Sequence, residues 1–196
     1  AVQAMYPIKG KRTRHYAFYD ELDIKQLSED RLMEDVFEDA LKNGEFQLWY
    51  QPKVDPVTGN ILGAEALIRW KRPDGTMLSP GKFIPLFEKN GNITTLDEYV
   101  FRTVCAQQQR WLQAGAKLYP ISVNISRVSL YYSNVVDKYR EILNSFRLDP
   151  KYVPLEITES ATIDNSDISS LIDQFHEAGF TLLLDDFGSG YSSLSS

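Results

Sequence analysis

The sequence predicts an α/β fold built around a parallel, helix-covered sheet, and three observations carry that prediction. After an opening hairpin, short apolar runs alternate with helix-period segments of ten or more residues, the rhythm of βα units with right-handed crossovers. The run Thr181-Leu182-Leu183-Leu184 shows no polar alternation, as expected of a strand buried on both faces. Finally, each of four runs carries an acid or amide near its carboxyl end, where α/β sheets place their chemistry.

Residues 1–20 stand apart from this rhythm: Lys9, Lys11, Arg12 and Arg14 crowd around Gly10, followed by Tyr16, Phe18 and Tyr19. Pro7 stops any helix containing Ala4, Met5 and Tyr6. The basic cluster reads as a solvated turn, and His15 has no partner at metal-binding spacing. Residues 21–43 then place Leu27, Leu32, Val36, Phe37, Ala40 and Leu41 at helical spacing with acids between them, and Asn43-Gly44 closes the helix.

Strands follow over 46–54 and 61–70, joined by the turn Asp55-Pro56-Val57-Thr58-Gly59-Asn60. So short a loop makes the pair antiparallel. Ser79-Pro80 opens a short helix through Phe87, with the proline in the tolerated first turn. The spacing then predicts a helix over 95–113 closed by Gly115, a strand over 118–125 and a helix over 135–146. A strand over 153–158, a helix over 168–178 closed by Gly179 and a strand over 180–184 complete the order. That gives five strands from Phe46 in roughly 150 residues, whereas a closed (β/α)₈ barrel takes eight strands and about 250 residues. Either the sheet is small and open, or this is the first part of a barrel; the polar strand ends favour the barrel.

With 196 residues, 43% of them hydrophobic, the chain can bury a sizeable core. Its net charge of −6 argues against a nucleic-acid polymer as the main partner. The lone cysteine, Cys105, shares a helix face with Phe101 and Val104 and reads as core in a reducing compartment. No apolar run approaches the roughly 18 residues of a membrane span, and no signal-peptide core begins the chain. A soluble, cytoplasmic chain without direct membrane insertion is expected, even if a longer parent is membrane-tethered.

The polar exceptions are Glu65, Asn124, Glu156 and the pair Asp185-Asp186. Several carboxylates gathered in one partly buried mouth cost several kcal/mol each unless a cation compensates them. Oxygen donors and one amide, without clustered histidine or cysteine, favour Mg²⁺ or Mn²⁺ over zinc. Two adjacent aspartates suit a pair of ions that activates water for in-line displacement at phosphorus, which implies a phosphodiester substrate. Glycoside hydrolysis by Glu65 and Glu156 is the competing enzymatic reading, but it leaves Asn124 and the paired aspartates without a task. His176 lies within a helix, away from the strand tips, and takes no part.

Taken in order, six motifs resemble the EAL domain family of cyclic di-GMP phosphodiesterases. They are Trp49-Tyr50-Gln51-Pro52, Glu65-Ala66-Leu67, Ser79-Pro80-Gly81-Lys82-Phe83-Ile84-Pro85, Ser122-Val123-Asn124-Ile125-Ser126, Glu156-Ile157-Thr158-Glu159 and Asp185-Asp186-Phe187-Gly188-Ser189-Gly190. The resemblance implies a modified (β/α)₈ TIM-like barrel with an antiparallel first strand, of which about the first five strands are present. It implies Glu65, Asn124, Glu156 and Asp185 as metal ligands, with Asp186 at the second metal. Catalytic roles fall to the four acids among these. Gln51, Leu67 and Arg69 align with positions that contact the dinucleotide, and Glu159 with the position that steadies the loop Phe187, Gly188, Ser189 and Gly190. The family commonly has threonine where Ser189 stands, and the hydroxyl is kept.

More weakly, Ala1, Ala4, Met5, Tyr6 and Lys9 resemble the closing helix of a GGDEF domain. Residues 1–30 are then the end of that domain and a linker, and 31–196 the N-terminal part of an EAL domain with a GGDEF domain in cis. The family's catalytic lysine, later general-base glutamate and final-strand glutamine fall beyond Ser196. A chain ending there is expected to form an incomplete barrel with poor turnover. The leading expectation is hydrolysis of cyclic di-GMP to linear pGpG. The alternatives are a noncatalytic cyclic di-GMP sensor and a regulatory module that homodimerises through the amphipathic linker helix.

Overall fold

The structure, a computed structural model, describes residues 21–158 and 166–185. The chain divides into two compact units, residues 1–39 and 40–196. The expected helix end and basic turn within 1–20 lie outside the described residues. Helix α1 (Glu21–Lys42) forms as its periodicity predicts. Its buried stripe differs: Met33, Phe37 and Ala40 are buried, whereas Leu32 is 58% exposed. Positions 33, 37 and 40 recur at i, i+4 and i+7 on one helix face, and Leu32 is rotated off it.

The second unit opens with β1 (Phe46–Val54) and β2 (Ile61–Lys71), paired antiparallel as the short turn requires. Asp55 shapes that turn by accepting the backbone N–H groups of Val57 at 2.8 Å and Thr58 at 2.9 Å. A two-residue β3 (Met77–Leu78) adds to β2, and α2 (Pro80–Asn90) and α3 (Ile93–Gln113) follow. Next come β4 (Ile121–Asn124), a single-turn α4 (Arg127–Leu130), α5 (Val135–Phe146) and a 3₁₀ turn at Pro150–Tyr152. The described part ends with β5 (Leu155–Thr158), α6 (Ser166–Glu177) and β6 (Leu182–Asp185). The sheet order is β1-β2-β4-β5-β6 with β3 off β2, and β2, β4, β5 and β6 run parallel.

One face of the sheet packs under the helices. Ala66, Ile121, Val123, Leu155 and Ile157 meet Phe101, Val104, Cys105, Tyr139, Leu143 and Phe175 in a continuous core. Burial pushes the Cys105 thiol up to about 12, so it behaves as a small apolar group. The side-chain amide of Gln108 on α3 donates to the carbonyls of Tyr119 at 2.7 Å and Tyr152 at 3.0 Å. That one amide ties α3 to the entries of both β4 and β5, and so fixes the level at which the two strands emerge.

Three elements were not expected from the sequence: β3, α4 and the 3₁₀ turn. All are too short to show a period. Strand β4 begins at Ile121, later than the predicted 118, because Pro120 has no N–H for the ladder. Its carbonyl instead accepts from Ala64 N–H at 2.9 Å, which draws the two strands together beside Gly63. A Cβ on Gly63 would sit 2.5 Å from that carbonyl oxygen. Gly63→Ala is therefore expected to cost about 1–3 kcal/mol by forcing β2 and β4 apart. An unchanged urea midpoint would show that the strands can separate freely there.

Candidate active site

Strand alternation and register put Glu65, Asn124 and Glu156 on the face of the sheet away from the helices. On β1 and β2 this face carries Trp49, Gln51 and Lys53 opposite Leu67, Glu65 and Gly63. Along the parallel strands, Glu65 stands beside Ser122, Asn124 beside Glu156, and Thr158 beside Asp185. The Asn124 amide donates to the Glu65 carboxylate at 2.9 Å. Glu65, Asn124 and Glu156 thus come together as expected, and the backbone of Asp185 ends the next strand. Asp186, Glu159, Phe187, Gly188, Ser189 and Gly190 lie outside the described residues.

The levels differ from expectation. Asn124 and Asp185 are the last residues of their strands, but β2 continues six residues beyond Glu65 and β5 two beyond Glu156. β2 is prolonged because Trp70 still pairs with Phe46 across the hairpin and with Leu78 of β3. Glu65 and Glu156 consequently sit below the rim of the sheet, and Glu156 is 4% exposed.

Two neighbours of the site were not anticipated. Lys53 donates to the Ser122 hydroxyl at 2.9 Å and forms an ion pair with Glu156. A lysine inside a strand motif gives no sequence signal for this, since its partner is 103 residues away. Trp49, although 55% exposed, carries the Arg69 guanidinium over its ring at 6.0 Å from the centroid. Arg69 also donates to its neighbour's carbonyl, Ile68 O, at 2.8 Å. A cavity of about 250 Å³ opens between the end of β2 and helices α2 and α3, lined by Ile68, Arg69, Ile84, Leu96 and Asp97 and reaching Asn124 but not Glu65 or Glu156.

Asp97 of α3 organises the segment after Asn124. Its carboxylate accepts the Ser126 N–H at 2.9 Å and the Ser129 hydroxyl at 2.7 Å, while Ser126 caps α4 through the Ser129 N–H. Burial outweighs these bonds and pushes the Asp97 carboxyl up from 3.8 to about 6, with Glu88 adding a smaller push in the same direction. The native state therefore holds this proton longer than the unfolded chain. The resulting stability is complete below about pH 4 and is lost as pH rises through 6. Relative to Asp97→Asn, which does not titrate, the parent should lose about 2 kcal/mol between pH 4 and 7. Urea unfolding of both proteins across that range checks this, and a difference that does not change with pH would refute it.

As a donor set, two carboxylates and an amide suit a hard divalent ion. Among the described residues, no three His, Cys, Asp or Glu side chains surround one point.

The EAL domain pattern matches residues 34–196, most of the chain. The chain belongs to the EAL domain family. It is 36% identical over 193 residues to the bifunctional diguanylate cyclase/cyclic di-GMP phosphodiesterase MucR of Pseudomonas aeruginosa, covering 97% of this chain and 28% of that protein. It is 37% identical over 158 residues to the probable cyclic di-GMP phosphodiesterase PdeB of Escherichia coli, covering 81% and 30%. The chain thus spans less than a third of the length of these curated relatives. The solved structure of the PaMucR phosphodiesterase in complex with c-di-GMP superposes with a TM-score of 0.76 at 36% identity, covering 83% of this chain and 66% of that one. The architecture is accordingly α/β and TIM-barrel-like, with an antiparallel first strand. EAL phosphodiesterases depend on divalent metal ions. No described helix is long and apolar enough to cross a membrane.

Proposed function

We propose that the protein hydrolyses one phosphodiester bond of cyclic di-GMP to give linear pGpG, with two Mg²⁺ or Mn²⁺ ions, in bacterial second-messenger signalling. The observation that carries this reading is the convergence of Glu65, Asn124 and Glu156 on one sheet face. Glu65, Asn124, Glu156 and Asp185 would hold metal, with Asp186 at the second ion. Bound divalent ions supply Lewis acidity and an activated water. The chain's own residues do the positioning. Gln51, in register with Glu65, and Leu67 face the bound dinucleotide. Arg69 turns from Trp49 and Ile68 O to a phosphate or guanine edge, where its planar fork gives two bonds. By its motif, Glu159 would support Phe187, Gly188, Ser189 and Gly190.

The same proposal assigns residues 1–30 to the end of a GGDEF domain and a linker, and 31–196 to the EAL domain. It puts the protein in the cytoplasm, with a GGDEF domain in cis and a homodimer as the working assembly. Arg69→Ala should weaken cyclic di-GMP binding by about 10- to 100-fold, the loss of a charged hydrogen-bonding group. Arg69→Lys should recover little of it, because a point charge cannot replace the fork. Calorimetric titration with cyclic di-GMP checks both variants, and wild-type affinity in Arg69→Ala would remove Arg69 from the site.

A further inference from the structure

We infer that Lys53 is a built-in counter-cation for Glu156 that competes with the metal and so sets the affinity of the site for divalent ions. This rests on the metal-dependent reading above and adds a residue to it.

A carboxylate withdrawn from water needs a positive charge or a set of hydrogen-bond donors. The Glu156 side chain is 5% exposed, and the cation that answers it here is the Lys53 ammonium. The ammonium is not loosely placed: it also donates to Ser122, whose own hydroxyl donates to Ala64 O at 3.3 Å. Ser122 stands beside Glu65 in the sheet. Lys53 is therefore anchored to Glu156 and Ser122, two residue pairs along the hairpin from Gln51 and Glu65 and on the same face.

The arrangement has two consequences. Without metal, Lys53 neutralises Glu156 and lets the strand core form around a buried acid. With metal, the same carboxylate is shared, and a divalent ion close to an ammonium meets like-charge repulsion. The Lys53 side chain is 42% exposed, so its flexible stem can swing the ammonium toward solvent and yield the carboxylate. Lys53 acts through Glu156 and is a positioning residue.

Lys53→Met keeps most of the apolar stem and removes the charge. In the full chain without substrate, this variant should melt at a lower temperature than the parent in chelator. It should then bind Mn²⁺ on the order of tenfold more tightly by calorimetry, with a larger Mn²⁺-induced rise in melting temperature. Lys53→Arg, which keeps the charge, should stay within about threefold of the parent. Lys53→Gln serves in place of Lys53→Met if the latter does not fold. Equal or weaker Mn²⁺ binding in the neutral variant, or equal tightening in Lys53→Arg, would overturn the inference while leaving the metal site standing. Absence of any Mn²⁺ binding by parent and variants alike would overturn both the inference and the metal-dependent reading.

Discussion

Glu65→Gln should lower hydrolysis of cyclic di-GMP by at least about 100-fold, since exchange of an oxygen ligand removes more than the 10- to 100-fold lost with a supporting partner. Glu65 is the better of the two acids to test. Its bond is to the neutral amide of Asn124, and glutamine retains an acceptor for it. Glu156→Gln would leave the Lys53 ammonium without its carboxylate and mix a folding defect with a catalytic one. For Glu65→Gln the expected pattern is an unchanged melting temperature in chelator, weakened Mn²⁺ binding and lost turnover. Turnover within a few-fold of the parent would remove Glu65 from the metal site.

Trp70→Ala should destabilise the fold by about 3–5 kcal/mol. Trp70 is fully buried and packs against Phe46, Phe83 and Phe87 with ring centroids 4.7, 5.6 and 5.8 Å away. Its indole N–H donates to the Glu45 carboxylate at 2.9 Å. The residue therefore fastens α2 to the hairpin. Trp70→Phe should lose only about 1–2 kcal/mol, keeping most ring contact while leaving the Glu45 bond unmade. Equilibrium urea unfolding measures both, and a loss below about 1 kcal/mol in Trp70→Ala would mean that the aromatic cluster repacks around the gap.

What the sequence disclosed and what it withheld follow from the range of each interaction. The hairpin was legible because its turn is local: Asp55 bonds to residues two and three positions on. Helices α3 and α5 were legible because a buried stripe recurs in the residues themselves, as with Val100, Phe101, Val104 and Cys105. In the site, Glu65, Asn124 and Glu156 stood out as polar exceptions in apolar runs. Their levels were not readable, because β2 is prolonged by pairing with Phe46 and Leu78, which is a tertiary effect. Lys53 was silent for the same reason: in the sequence it is one more polar residue near the end of a strand, and only the crossover to β5 reveals its acid. Asp97 gave no signal in the sequence either, because its donors, Ser126 and Ser129, lie 29 and 32 residues away.

The most direct test is chromatographic analysis of cyclic di-GMP incubated with the intact protein, in Mg²⁺ or Mn²⁺ and in excess chelator. Linear pGpG that accumulates with metal and is absent with chelator is the predicted result. Tight binding of cyclic di-GMP with no product in either metal would contradict hydrolysis and make the protein a sensor of the dinucleotide.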